Sequence, residues 1–253
     1  MITIAIGLQK GGIGKTSTSA AFTSGLIKKG YKALCIDANA QRNLTQTFGA
    51  STKEANLYDV LLGKAPIEKA IQHTEQGDIV AGCKELANID LSLKANDKYY
   101  RLKQAITPIK DKYDYCIIDC PPYMGTLFIN GLMAADEIII VCEADIYSLG
   151  AIEDITENIK EAQSTYNEGL KVAGILLTRY TGRATLSKQL REAFIEPAET
   201  LNTKVYKEPI REGIAVKEAH IMQQSIFDYE PKSNPALDYM AFIEEYLKDH
   251  KKK

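Results

Sequence analysis

The stretch Gln9-Lys10-Gly11-Gly12-Ile13-Gly14-Lys15-Thr16 decides how this chain is read. It follows a short apolar run, residues 2–8, and opens an amphipathic segment, residues 15–29. A glycine-rich turn between strand and helix lets backbone N–H groups point at phosphate oxygens. The helix N-terminus adds the positive end of its dipole. In such a loop Lys15 reaches the β- and γ-phosphates of a nucleotide and the Thr16 hydroxyl ligates Mg2+. Gly11, Gly12, Ile13 and Gly14 cradle the phosphates, and Ser17 meets the α-phosphate through its backbone. The usual spacing G-x-x-x-x-G-K-[ST] asks for glycine at position 9, where this chain has Gln9. The plain alternative is a glycine-rich turn with no ligand.

Outward from the loop, short apolar runs alternate with longer amphipathic ones. Strands are expected at residues 2–8, 33–37, 78–81, 115–119, 137–142, 172–178 and 204–206. Helices are expected at 15–29, 57–62, 67–73, 97–112, 127–134, 149–168, 186–201 and 235–248. Several strand candidates are continuously apolar, as in strands covered on both faces. The alternation predicts an α/β chain of the P-loop NTPase class, with a mostly parallel sheet flanked by helices on both faces.

Two of those strands end in acids. Residues 115–119 run Tyr115-Cys116-Ile117-Ile118-Asp119 and are followed by Cys120-Pro121-Pro122. Residues 33–37 run Ala33-Leu34-Cys35-Ile36-Asp37. Strand ends beside a phosphate loop carry the groups that handle metal and water. Asp119 is therefore expected to hold Mg2+, through water, although an acid here can also merely cap the next turn.

The 253 residues are 45% hydrophobic and 25% charged, with 31 basic and 33 acidic side chains. That excludes a disordered chain, a collagen and a coiled-coil rod. It also argues against a strongly basic nucleic-acid binder, while leaving room for a local basic patch. No apolar run reaches the ~18 residues of a membrane span. The five cysteines form no C-x-x-C pair, and three lie in strand-like runs. A reduced, cytoplasmic protein is expected. A metal or cluster site at Cys116 and Cys120 lacks the ligand pattern that would accompany it.

The K-G-G-x-G-K-T pattern of Lys10–Thr16 resembles the deviant Walker A loop of the ParA/MinD ATPases. Residues 113–125 look like that family's Walker B strand and switch segment. Residues 37–45, Asp37-Ala38-Asn39-Ala40-Gln41-Arg42-Asn43-Leu44-Thr45, resemble its D-x-D-P-Q-G-N-x-T segment. Asp37, Gln41, Asn43 and Thr45 match, and the resemblance adds Asp37 to the metal set. Asn39 stands where the family has the aspartate that orients the attacking water. Ala40 replaces proline and Arg42 replaces glycine. An amide lacks charge and cannot take a proton as a carboxylate does, so slow hydrolysis is expected. The strand and turn around Thr178 and Arg179, and the segment beginning Pro209-Ile210, resemble the family's remaining nucleotide contacts.

What this resemblance implies is an ATPase that uses ATP and Mg2+. Lys10, the first lysine of the loop, would reach across a homodimer to the partner's nucleotide; read alone, it is a solvated surface lysine. The chain begins on its first strand, so one ATPase domain over residues 1–253 is expected. It would lack the N-terminal helix-turn-helix of longer partition ATPases. Short, Soj-like members bind nonspecific DNA as ATP dimers on the nucleoid, and a ParB-like centromere-binding partner stimulates hydrolysis. Candidate DNA contacts are Arg183, Lys188, Arg191, Lys207, Arg211 and Lys217, each equally readable as an ordinary solvated charge. Two other functions remain open. One is a MinD-like membrane-positioning ATPase using residues 235–248 as an amphipathic helix, which Glu244, Glu245 and Asp249 oppose. The other is a small-molecule enzyme on the same fold.

Overall fold

The computed structural model describes residues 1–93, 97–181 and 191–250. In chain order its elements are β1 (Ile2–Gly7), α1 (Lys15–Lys28), β2 (Ala33–Asp37), α2 (Asn43–Thr47), α3 (Leu57–Leu61) and α4 (Ile67–Ala70). Then come β3 (Ile71–Thr74), β4 (Gly77–Val80), α5 (Ile89–Ser92), α6 (Arg101–Ile106), β5 (Tyr115–Asp119), α7 (Thr126–Ala134) and β6 (Glu137–Glu143). The last are α8 (Ile146–Thr165), β7 (Lys171–Thr178), α9 (Ile195–Thr200), α10 (Ile214–Ile221), α11 (Ile226–Tyr229) and α12 (Asn234–His250).

The strands form one sheet in the order β3-β4-β2-β5-β1-β6-β7. All neighbours are parallel except β3 and β4. The expected α/β architecture is therefore the one observed. β2 and β5 are buried at every position, which explains their unbroken apolar runs. Side chains alternate across β1. Ala5 enters a core with Phe128, Leu132 and Ile152, while Ile4 and Ile6 enter a second core with Phe22, Phe242 and Tyr246.

The second core places α1 under α12. Phe22 packs against Phe242 and Tyr246, with ring centroids 5.3 and 5.0 Å away. Gly25 permits the close approach, since a Cβ there would strike Ile243 and Phe227. Phe242, Ile243, Tyr246 and Leu247 of α12 are all spent on this core. No helix among the described residues is long and apolar enough to cross a membrane.

Of the helix expected at 186–201 the structure describes α9, residues 186–190 lying outside the described residues, and other expectations also differ. Residues 67–73 form one helical turn, α4, and then turn into β3, which pairs antiparallel with β4. The hairpin is set by Gly77 at φ +130° and by the Thr74 hydroxyl bonding the Gly77 carbonyl at 2.8 Å. Gln72 then clasps the Ser51 backbone from the edge strand, at 2.7 and 2.8 Å. Residues 204–206 make a single parallel bridge between Ile175 and Val205 rather than a strand. Residues 97–112 shorten to α6 and a 3-10 turn, because Pro108 within that turn has no N–H for helical pairing.

Candidate functional site

The loop of residues 8–14 leaves the C-terminal end of β1 and delivers Lys15 to the first turn of α1. Gly12 and Gly14 lie at φ +77° and +85°, a left-handed conformation that a side chain disfavours. A Cβ on Gly11 would meet nothing within 4 Å, so the backbone there is open to a ligand. Thr178, at the end of β7, fixes the loop from behind. Its hydroxyl donates to the Ile13 carbonyl at 2.6 Å. Lys15 is buried, and its ammonium donates to the Lys10 carbonyl. Burial lowers its pKa, and the charge of Asp119 works against that shift.

Parallel pairing of β2 with β5 sets Asp37 directly beside Asp119. Asp119 accepts from the Thr16 hydroxyl at 2.7 Å and from the Ser19 hydroxyl at 3.1 Å. Asp37 accepts from the Thr45 hydroxyl at 2.7 Å, the Thr45 N–H at 2.8 Å and the Asn39 N–H at 3.1 Å. Burial raises both carboxyls above their usual range, and Asp37 raises Asp119 further. Lys15 and Arg42 offset the charge of these two adjacent buried carboxylates only in part, since burial still raises both. An all-oxygen donor set of this kind suits a hard divalent cation that keeps several waters. Asp119 and Thr16, bonded to each other, stand together beside the loop, whereas Asp37 is occupied in holding the 38–45 segment.

That segment carries Asn39, which is buried and lines the cleft. Its side-chain oxygen accepts from the Gln41 N–H at 3.1 Å. Arg42 follows at φ +60°, which accounts for the glycine that the resembling pattern has there.

Two openings flank the loop. A cleft of about 620 Å3 is lined by residues 11–17, Asn39, Gln41, Asn43, Gln46, Thr47, Pro122, His220, Ile221 and Gln223. A second, of about 280 Å3, is lined by Gly12, Gly14, Ser17, Thr178, Arg179, Ile210, Val216, Lys217 and Tyr239, among others. Ser17 borders both. Backbone bonds from Ile210 to Leu177 and from Tyr180 to Ile210, at 2.8 and 2.9 Å, bring the two expected nucleoside segments together. Ile210 lines the second opening; Pro209 does not.

Lys10 lines neither opening. Its ammonium is held by Asp145 at 2.7 and 2.9 Å and by the Ser148 hydroxyl at 3.2 Å. Asp145 ends the β6 loop and caps α8 through the Ser148 N–H at 2.7 Å. Burial pushes the Asp145 carboxyl up, but Lys10 and that N–H outweigh it and hold the carboxyl below its usual range. Asp145, Ser148 and His220 escaped the sequence reading. An acid just after the apolar run of β6 was the signal for Asp145, parallel to Asp37 and Asp119; His220 gave none.

The basic candidates divide. Arg211 is paired with Asp238 at 2.6 and 2.9 Å, and Arg191 donates to the Tyr206 and Lys207 carbonyls at 3.2 and 2.6 Å. Both are paired within the chain, yet Arg211 remains exposed and Arg191 half-buried. Arg179 bridges Glu143 and Glu212 at 3.0 and 3.2 Å and donates to the Gly12 carbonyl at 3.2 Å. Lys207 and Lys217 are exposed, though Lys217 borders the second opening. Arg183 and Lys188 lie outside the described residues.

Residues 1–172 match a family model described as an AAA domain. The sporulation initiation inhibitor protein Soj of Bacillus subtilis is 33% identical over 247 residues, covering 96% of each chain. Among solved structures, cobyrinic acid a,c-diamide synthase from Mycobacterium smegmatis with bound ATP analog and magnesium has a TM-score of 0.87 at 27% identity, covering 99% of this chain and 96% of that one. The septum site-determining protein MinD of Pyrococcus horikoshii, complexed with Mg-ADP, has a TM-score of 0.79 at 25% identity, covering 96% and 95%. With the loop, the paired strand-end acids and this coverage, the chain belongs to the ParA/Soj and MinD family of AAA-domain P-loop ATPases.

Proposed function

We propose that the chain is a DNA-partition ATPase, a nucleotide switch acting as one domain over residues 1–253. It binds Mg-ATP, closes as a homodimer, holds nonspecific nucleoid DNA in the cytoplasm, and is released when a ParB-like partner stimulates hydrolysis. The observation that carries this reading is Lys10. It lies in the phosphate loop yet lines neither opening and is held by Asp145 instead. A lysine kept beside the site but out of it is suited to serve a nucleotide other than its own chain's. The 33% identity with Soj supports the same assignment.

In this reading the loop N–H groups and Lys15 bind the phosphates. Thr16 and Asp119 would hold Mg2+, with Asp37 setting the local charge and the 38–45 segment. When bound, the metal would neutralise charge on the phosphates. Thr178, Arg179 and Ile210 enclose the nucleoside side. Asn39 positions water by hydrogen bonding alone, so turnover is slow. DNA contact falls to the set Arg183, Lys188, Arg191, Lys207, Arg211 and Lys217, of which Lys207, Arg211 and Lys217 are exposed.

The test is co-sedimentation with nonspecific DNA and, separately, with anionic liposomes, in Mg-ATP and Mg-ADP across a salt series. Retention on DNA only with ATP, falling steeply with salt, supports the proposal. Retention on liposomes instead would favour the membrane-positioning relatives.

A further inference from the structure

His220 stands on the last turns of α10, where it lines both the phosphate cleft and a small cavity of about 10 Å3 behind it. Ser17, Gln76 and Tyr239 share that cavity. Gln76 is buried, and its side-chain oxygen has no hydrogen-bond partner among the described residues. A cavity of that size is just large enough for one water, although much of its lining, Ala20, Ala21, Val216 and Ile226, is apolar. A neutral imidazole carries one N–H donor and one acceptor nitrogen. The orphan oxygen of Gln76 is an acceptor that such an N–H can reach through a water in that cavity. The second ring nitrogen is then left for the cleft.

The charged surroundings leave that nitrogen available. From its own helix His220 has Lys217 and Glu218, and Glu218 is bonded by the Tyr229 hydroxyl of α11 at 3.3 Å. Asp228 of α11 is paired with Lys28 at 2.9 Å. Tyr239 of α12 shares a hydrogen bond with Thr18 at 3.3 Å. α2 presents only amides and hydroxyls, and α1 contributes Lys15. Among the described residues no neighbouring acid holds the ring protonated: burial acts alone and lowers its pKa, so the ring is neutral near pH 7. A polyphosphate entering the cleft would reverse that balance by bringing negative charge to an uncompensated imidazole.

We propose that His220 is a phosphate-contacting residue of the nucleotide site, which takes a proton from solvent as the nucleotide enters and donates it in a hydrogen bond to a phosphate oxygen. This rests on the nucleotide reading above and adds a pH dependence to it. An opposite charge within a few ångströms raises a histidine pKa by roughly 1–3 units. By linkage, affinity then increases as pH falls through the window between the free and bound values.

The experiment is calorimetric binding of Mg-ADP at pH 6, 7 and 8 by the native chain and by His220→Gln, which keeps a hydrogen-bonding side chain but cannot titrate. The phosphate's own ionisation is common to both proteins and cancels. Between pH 6 and pH 8 the native affinity should weaken about three- to tenfold more than that of the variant. Parallel profiles in two proteins that both bind would overturn the proposal and leave the nucleotide reading standing. Absence of binding by both would overturn that reading and the proposal with it. Proton NMR of the native chain gives a second readout that needs no variant, since the sequence has only three histidines. The His220 titration midpoint should rise by about one pH unit or more on adding Mg-ADP, and an unmoved midpoint would refute the contact.

Discussion

Restoring a carboxylate at position 39 should accelerate hydrolysis, and the structure bounds by how much. Asn39 is buried in the phosphate cleft, and its side-chain oxygen is used by the Gln41 N–H at 3.1 Å. Its amide nitrogen can only donate, so nothing at this position can draw a proton from water. In Asn39→Asp one carboxylate oxygen can keep the Gln41 bond while the second faces the cleft. A positioned general base contributes ~10²–10⁴ in rate. Against this, the new acid stands two residues from Asp37, which already crowds Asp119 in a buried pair. A third carboxylate there is partly protonated or drawn to the metal, which removes some of the gain. We therefore expect turnover to rise at least about tenfold, about 1.4 kcal/mol off the barrier. The ATP-bound dimer should be correspondingly shorter-lived. The assay is steady-state phosphate release, with a single-turnover measurement to isolate chemistry. Equal single-turnover rates in both proteins would refute the placement of residue 39 at the attacking water.

Lys15→Ala should abolish Mg-ATP binding, because the loop loses the ammonium aimed at its own phosphates; tight binding by isothermal titration would contradict the loop assignment. Lys10→Ala should leave monomer nucleotide affinity within about threefold, since Lys10 lines neither opening, but should weaken the ATP dimer at least about tenfold, the effect of losing one ion pair of about 1.4 kcal/mol. Asp145→Asn frees that ammonium and should favour the dimer; analytical ultracentrifugation reads both, and unchanged dimerisation in both variants would exclude an intersubunit lysine. Away from the site, both ring nitrogens of His250 face acceptors, the Tyr246 carbonyl at 2.8 Å and Glu137 at 2.9 Å, so the ring is held as a cation and its pKa is raised by Glu137. That contribution is complete below the ordinary histidine value and is lost as pH rises through the elevated one. Glu137 is depressed, by His250 and Tyr246 against the push of burial, so its own share disappears only at acid pH. Urea unfolding should therefore show His250→Gln costing about 1 kcal/mol more at pH 6 than at pH 9; an equal cost at both would refute the charged pair.

The parts legible in the sequence were those fixed by local pattern. β2 and β5 are unbroken apolar runs because helices cover both faces, and their terminal acids fall side by side because the pairing is parallel and in register. The loop was legible because only glycine fits at positions 12 and 14. β3 was not, since Ile67, Ala70 and Ile71 repeat at helical spacing while a distant partner, Ser51, completes the edge strand. α10 was missed because its buried face is only Ala215 and Ala219, too slight to mark a period. The ion pairs of Lys10 with Asp145 and Arg211 with Asp238 join residues 135 and 27 positions apart, and no spacing rule reaches either.

The central claim is a nucleotide-gated assembly built on Lys10 and the phosphate loop. Light scattering coupled to size exclusion tests it directly, on the chain alone, with Mg-ADP, and with Mg-ATP, each with and without nonspecific DNA. A 28 kDa species is expected without nucleotide and with Mg-ADP. With Mg-ATP a doubled mass is expected, which alone associates with DNA and leaves it as salt rises. An unchanged mass in Mg-ATP, or DNA association that ignores the nucleotide, would contradict the claim.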